Sequence, residues 1–301
     1  YFSRSFMKIA LGTVQFGVLY GISNNLGQTK KSEVEKILKY SYKNGIDMLD
    51  TAPSYGDSEG IVGDIIHNYS DNKHWRVITK TPHFKGDTIG DKQTNELLEN
   101  FKISSNKLGE KNIYGLLVHD CNDLFLPGGE KLFNEMNNLK KNGLIKKIGV
   151  SLYSSKQIDT LLNNYDIDLV QLPVNILDQR LVNGRQLSRL KEHGVEIHVR
   201  SIFLQGLLLM PLNSIPSWFE PIMDKLCLLH QEARKQNMSV LQLAIAFVQS
   251  ISDIDRVIIG VNTLDQMKEV INAASIKIDI TDFSNLAVND ITYLNPSNWK
   301  V

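Results

Sequence analysis

What most constrains this chain is an alternation that runs along nearly all of it: eight short apolar, β-rich runs, each followed by helical spacing, with no linker between them. The runs are Lys8 to Thr13, Ile46 to Asp50, Arg76 to Lys80, Ile113 to His119, Lys147 to Ser151, Asp168 to Val174, Glu196 to Ser201 and Arg256 to Gly260. Short strands separated by helices pair in parallel through right-handed crossovers. The intervening segments are punctuated as helices should be. Ser32 to Asn44 carries apolar residues at Val34, Ile37 and Leu38, with Ser32 expected as its cap and Gly45 as its stop. Further helices are expected within Asp91 to Leu108, from Glu130 to Lys141, from Ser155 onward, and over Ile222 to Gln236 and Val240 to Gln249. A closed (β/α)8 barrel of the TIM type, one domain over residues 1–301, is the economical solution. A doubly wound open sheet is the alternative, but it would normally place a G-x-G-x-x-G after its first strand, and none is present. Tyr1 to Phe6 precede Met7, which reads as the natural start, so they are expected to be an expression remnant. Residues 274–301 are expected to form a C-terminal tail.

Charge and cysteine usage exclude several classes. Thirty-three basic residues balance thirty-three acidic ones, which leaves no electrostatic footprint for nucleic acid or an anionic membrane. The longest apolar run, Ile202 to Met210, is too short to span a bilayer and contains Gln205. Cys121 and Cys227 lack paired spacing, and the start lacks a secretory pattern, so a cytoplasmic location is expected.

The chemistry is read at the strand ends, where barrel enzymes keep it. Successive runs close on Asp50 with Tyr55 in the loop beyond, then on Lys80, His119, Ser151, Gln171 with Asn175, and Arg200. Any one of these is ordinarily a cap, a solvated charge or a structural histidine. Four titratable residues on consecutive units form a group. A tyrosine is a weak acid at neutral pH, and an adjacent ammonium is expected to lower its pKa. Lys80 supplies that ammonium, Asp50 keeps it protonated and oriented, and His119 hydrogen-bonds a substrate oxygen or shares the proton. Such a group stabilises an oxygen that gains negative charge, which carbonyl reduction requires together with a hydride source.

The stretch Asp50-Thr-Ala-x-x-Tyr55-Gly-x-x-Glu59-x-x-x-Gly63 resembles the signature of the aldo-keto reductase superfamily. So do Gly12-Thr-x-x-Phe16-Gly17, Val77-Ile-Thr-Lys80, Leu116-Leu-Val-His119, Gly149-Val-Ser151, Gln171-x-Pro173-x-Asn175 and Gln205-Gly206-x-Leu208, in the family's order from about Ile9 to about Ala273. The resemblance implies a (β/α)8 fold and an NAD(P)H-dependent reductase of small carbonyl compounds, with Asp50, Tyr55, Lys80 and His119 catalytic and Tyr55 the general acid. It implies that Ser151 and Gln171 hold the nicotinamide carboxamide, and that Gly12 and Thr13 let the first strand approach the ring and ribose. The segment from Gly260 to Glu269, with Asn262, Thr263 and Gln266, is expected to take the adenosine end, Gly260 opening the last helix as an anion-binding N-terminus. No metal site is implied.

Two departures from the family pattern bear on specificity. Arg200 stands where many members carry an aromatic residue. It has three readings: cofactor phosphate, the nicotinamide face, or an anionic group on the substrate. Gly260 and Gln266 stand where NADPH-preferring members often place basic residues, with Asn262, Thr263 and Lys268 as substitutes. NADPH is the family default, and NADH or dual use stays open. Tyr20, Phe84, Trp218 and Trp299 are candidate walls of a mouth that suits a polar, sugar-like compound. Two other readings are kept: Lys80 as the Schiff-base nucleophile of an aldolase or lyase, and a cofactor-binding regulatory subunit with little turnover. Scattered histidines and cysteines argue against a metal centre, and the absence of G-x-S-x-G against a serine hydrolase.

Overall fold

A computed structural model describes residues 8–68, 74–276 and 282–300. The eight apolar runs form eight strands: β1 (Ile9–Gly12), β2 (Met48–Asp50), β3 (Arg76–Lys80), β4 (Ile113–Val118), β5 (Ile145–Ser151), β6 (Leu169–Pro173), β7 (Glu196–Arg200) and β8 (Arg256–Gly260). All pair in parallel in sequence order, and β8 returns to β1, so the sheet closes as a (β/α)8 barrel of one domain. Closure leaves no open edge in the sheet.

Side chains alternate across each strand, and this parity builds two cores. Ile9, Leu11, Leu49, Val77, Leu116 and Val170 face outward and are buried under the surrounding helices. Ala10, Met48, Ile78, Leu117, Leu169 and Ile258 face inward and fill the barrel axis. The same parity, continued to the strand ends, turns Gly12, Asp50, Lys80, Ser151, Gln171, Arg200 and Gly260 toward the axis at the C-terminal rim. At the other end the axis is closed by polar groups. Glu196 accepts from Tyr114 at 2.8 Å and from Lys147, and His198 bonds Glu196 at 2.7 Å. Burial alone would raise the Glu196 carboxyl, but its hydrogen bonds from His198 and Lys147 hold it well below the usual carboxylate range.

The helices follow the expected order, with differences at their ends. The first barrel helix spans Lys31–Lys43 with Lys30 as its cap residue, so Ser32 lies inside it and does not cap it. Helices Asp91–Leu108, Gly129–Lys141, Met223–Lys235 and Val240–Ser250 fall where the periodicity places them. Ser154 and Ser239 close reciprocal capping boxes with Gln157 and Gln242. Beyond Ala274, residues 282–300 return to the barrel, where Phe283, Leu286, Val288 and Leu294 are buried and Val288 donates its amide to the Leu177 carbonyl at 2.9 Å. Residues 1–7, including the expected remnant and Met7, and residues 277–281 and 301 of the tail lie outside the described residues.

Candidate active site

A cavity of about 380 Å³ opens at the C-terminal rim, and of the residues given a catalytic or cofactor role above thirteen line it together: Gly12, Thr13, Asp50, Tyr55, Lys80, His119, Ser151, Gln171, Arg200, Gly260, Asn262, Gln266 and Glu269. Of that set only Thr263 stands off the wall, as the N-cap of helix Leu264–Ala274.

The turn carrying Tyr55 is fixed from below. Tyr55 donates its amide to the Ala52 carbonyl at 3.0 Å, and buried hydroxyls of Thr13, Thr51 and Ser58 bond one another beneath it. Gly17 lets the β1 loop approach: a β-carbon there would lie 1.7 Å from the Tyr55 carbonyl oxygen. Helix Ser58–His67 follows at once, and its Glu59 is buried as acceptor of Thr79 Oγ1 at 2.6 Å and Ser104 Oγ at 3.1 Å.

At the centre is an ion pair. Lys80 Nζ donates to both Asp50 carboxylate oxygens, at 2.9 and 3.0 Å, and to the Thr51 carbonyl at 2.8 Å, with both side chains almost wholly buried. Burial disfavours the ammonium, but the Asp50 carboxylate and the Tyr55 phenol outweigh it and raise the Lys80 pKa above its ordinary value. Lys80 Nζ also lies 5.0 Å from the centre of the Tyr55 ring. The expectation that Lys80 lowers the Tyr55 pKa needs correcting in its net sign. Burial raises it, and the opposing pull of Lys80 is the smaller effect, so the phenol rests above its ordinary pKa and protonated.

His119 is pushed down to about 2, by burial first and then by the charge of Lys80. It is neutral at any working pH, and its buried Nδ1 has no partner among the described residues. His83, three residues beyond Lys80, stacks on it with ring centres 4.2 Å apart. The sequence reading missed His83, which Pro82 separates from the strand pattern. It also missed Tyr153, whose ring lies 4.3 Å from the Arg200 guanidinium and which lines the cavity. Inward parity carried two residues past Ser151 would have found Tyr153. Of the candidate walls, Tyr20 lines the cavity, whereas Phe84, Trp218 and Trp299 pack against the core, Trp218 beside Tyr293 and Trp299 against Phe219.

The donors on the opposite wall are engaged within the protein. Gln171 Nε2 donates to Asp50, leaving its buried Oε1 without a partner among the described residues. Ser151 Oγ accepts from Arg200 at 3.3 Å. An unpaired amide oxygen beside a hydroxyl is a donor and acceptor set that fits a carboxamide, the group by which a nicotinamide is held.

At β8 the structure corrects a second expectation. Gly260 ends the strand and does not open the helix, which starts at Leu264. Three amides there are already taken: Leu264 by Glu33 Oε1 at 2.8 Å, Gln266 by Thr263 Oγ1 at 3.2 Å, and Asn262 by Gln266 Oε1 at 2.7 Å. A carboxylate from another helix thus sits where an added anion was expected. Lys268, the nearby cation, is paired with Asp265 at 2.8 Å.

Among the described residues no group of histidine, cysteine and carboxylate side chains is placed to hold a metal, and no helix is long and apolar enough to cross a membrane.

Comparison with known proteins places the chain in a family. The model of the Aldo/keto reductase family matches residues 8–288. The NADH-specific methylglyoxal reductase of Escherichia coli is 26% identical over 281 residues, covering 83% of this chain and 84% of that protein. Among solved structures, an aldo-keto reductase of Bacillus halodurans in its holo form superposes with a TM-score of 0.72 at 22% identity, covering 90% of this chain and 87% of the other. A glycerol dehydrogenase of Gluconobacter oxydans does so with a TM-score of 0.71 at 22% identity, covering 96% and 92%.

Proposed function

The chain belongs to the aldo/keto reductase family of NAD(P)H-dependent oxidoreductases, and on that premise we propose that its rim cavity reduces a small carbonyl compound to the alcohol with Tyr55 as the proton donor. The observation that carries this reading is the pairing of a protonated phenol with an ammonium that Asp50 keeps charged. A nicotinamide cofactor, when bound, supplies the two-electron reductant. As the carbonyl oxygen gains negative charge, Tyr55 passes its proton to it, and the phenolate left behind is stabilised by Lys80. Water then restores the phenol's proton. His119, neutral throughout, positions the oxygen by hydrogen bonding and does not compete as an acid. The Ser151 hydroxyl and the Gln171 amide would hold the carboxamide, with Gly12 and Thr13 beside the ring and ribose and the stretch from Gly260 to Glu269 at the adenosine end.

That end favours NADH over NADPH. Glu33 fills the helix N-terminus, Gln266 is tied to the Asn262 amide, Lys268 is paired, and Glu269 lines the wall as a carboxylate suited to a ribose hydroxyl. A 2′-phosphate would meet two carboxylates and no unpaired cation among those groups. The cofactor named for the Escherichia coli relative accords with this.

Lys80 as a Schiff-base nucleophile loses support, because a lysine held above its ordinary pKa carries no free lone pair at neutral pH. Free Cys121 and Cys227, the former buried, accord with a cytoplasmic location.

The test combines binding and turnover. NADH is expected to quench tryptophan fluorescence with at least tenfold tighter affinity than NADPH, and methylglyoxal, taken from the relative's name, is the first carbonyl probe. Tyr55→Phe should cut kcat by about 10²–10⁴-fold while the NADH Kd stays within twofold. Normal turnover by that variant would remove Tyr55 as the acid. Absence of binding by either cofactor would remove the hydride-transfer reading.

A further inference from the structure

Arg200 is a charge without a counter-charge. Two other cations near the rim are paired: Lys80 with Asp50, and Lys268 with Asp265. Among the described residues no carboxylate lies within ion-pair distance of the Arg200 guanidinium, although it lines the cavity and is only partly exposed. Its hydrogen bonds go to two neutral hydroxyls, Ser151 Oγ at 3.3 Å and Ser201 Oγ at 3.5 Å. Five N–H donors on a group that stays charged at any working pH are poorly served by two long bonds to hydroxyls. The ring of Tyr153, 4.3 Å from the guanidinium carbon, restricts its plane.

The direction in which the side chain leans sets aside one of its three readings, the cofactor phosphate. Arg200 starts on β7 and reaches past β6 to Ser151 at the end of β5 and to Tyr153 just beyond. That is away from β8, where the stretch from Gly260 to Glu269 lies, and toward His119 at the end of β4. Its charge is felt at Tyr55 and His119, the side chains given to the reacting oxygen, and at Tyr20 on the cavity wall. A cofactor phosphate at the adenosine end is on the wrong side of the cavity for it.

We propose that Arg200, backed by Tyr153, is the receptor for an oxyanion on the substrate, so that this cavity selects carbonyl compounds that carry a carboxylate or phosphate group close to the carbonyl. This rests on the carbonyl-reductase reading of the same cavity. A planar fork matches either oxyanion through paired N–H bonds. When a carboxamide takes Ser151, the guanidinium gives up one of its two hydroxyl partners and turns more fully to the ligand.

Matched pairs of aldehydes test it in wild-type protein: 4-carboxybenzaldehyde against 4-nitrobenzaldehyde for the carboxylate, and glyceraldehyde 3-phosphate against glyceraldehyde for the phosphate. At least one anionic member is expected to exceed its neutral partner tenfold or more in kcat/KM, and which pair does so tells the two oxyanions apart. Arg200→Met should reduce that ratio at least tenfold and raise KM for the anionic compound, Arg200→Lys should restore part of it, and the cofactor Kd read by tryptophan quenching should move less than threefold in both. Equal kcat/KM for both members of both pairs in the wild type overturns the proposal. So does an Arg200→Met protein in which both members fall together while the cofactor Kd weakens tenfold, since Arg200 then serves the cofactor. Should no aldehyde be turned over, the carbonyl-reductase reading fails separately, and titration of the cofactor-bound protein with benzoate decides the anion site: binding that weakens at least tenfold in Arg200→Met upholds it, and binding that does not overturns it.

Discussion

At the scale of single residues, the site works by separating charges that burial would otherwise extinguish. Asp50 holds Lys80 in its charged form, the Tyr55 phenol beside them stays protonated, and His119 stays neutral. The last of these makes a pH prediction whose sign can be worked out. An unfolded histidine titrates near 6.5, whereas folded His119 does so at about 2, so below pH 6.5 the unfolded chain binds a proton that the native protein refuses. The stabilisation is complete above pH 6.5 and is lost as pH falls toward 2, at up to about 1.4 kcal/mol per pH unit. Urea unfolding of His119→Asn between pH 7 and 4.5 should therefore show a shallower loss of stability than the wild type. Buried His198, also held below its ordinary value, supplies part of the slope that remains. A wild type whose stability is flat over that range would contradict a neutral, enclosed His119.

At the scale of elements, close approach between helices is set by where the chain spends its glycines. In helix Ser58–His67, a β-carbon on Gly63 would lie 1.9 Å from the Lys107 carbonyl oxygen of helix Asp91–Leu108, while one on Gly60 would meet nothing within 4 Å. Gly60→Ala is expected to stabilise by about 1 kcal/mol through helix propensity alone. Gly63→Ala forces the helices apart and should cost about 1–3 kcal/mol or more, a net change of opposite sign in the urea midpoint. Two stabilising substitutions would show that the helices are not in contact there. The element scale is also where the sequence was least exact. Ser32 looked like a cap by type and lies within the helix, and Gly260 looked like a helix start and lies three residues before the N-cap at Thr263. A cap is chosen by backbone angles and by what reaches the end of the helix, and neither is written in residue type.

At the scale of the molecule, the barrel has two polar ends with an apolar plug between them. The rim end carries the chemistry, and the other end holds Glu196 among Lys147, Tyr114 and His198. Glu196→Gln removes the charge those donors converge on. The expected cost is about 2–3 kcal/mol, below the roughly 3–5 of a fully buried broken pair, because Lys147 keeps some of its side chain in water. Cofactor Kd should stay unchanged, since the whole apolar layer separates the two ends; a Kd that moves with the substitution would show that the ends are coupled.

The sequence by itself determined the barrel and the polar groups that its strand ends bring to the cavity. Strand length, alternation with helices and two-residue parity are local properties, and together they turn Asp50, Lys80, Ser151, Gln171 and Arg200 inward at one rim. Only the tertiary structure decided how those groups are used. Glu33 caps Leu264 across 231 residues of chain, Gln171 gives its amide to Asp50 across 121, and burial outweighs Lys80 in setting the Tyr55 phenol. Charge, desolvation and hydrogen bonding act through space over a few ångströms, so their balance at each side chain exists only once distant segments have met.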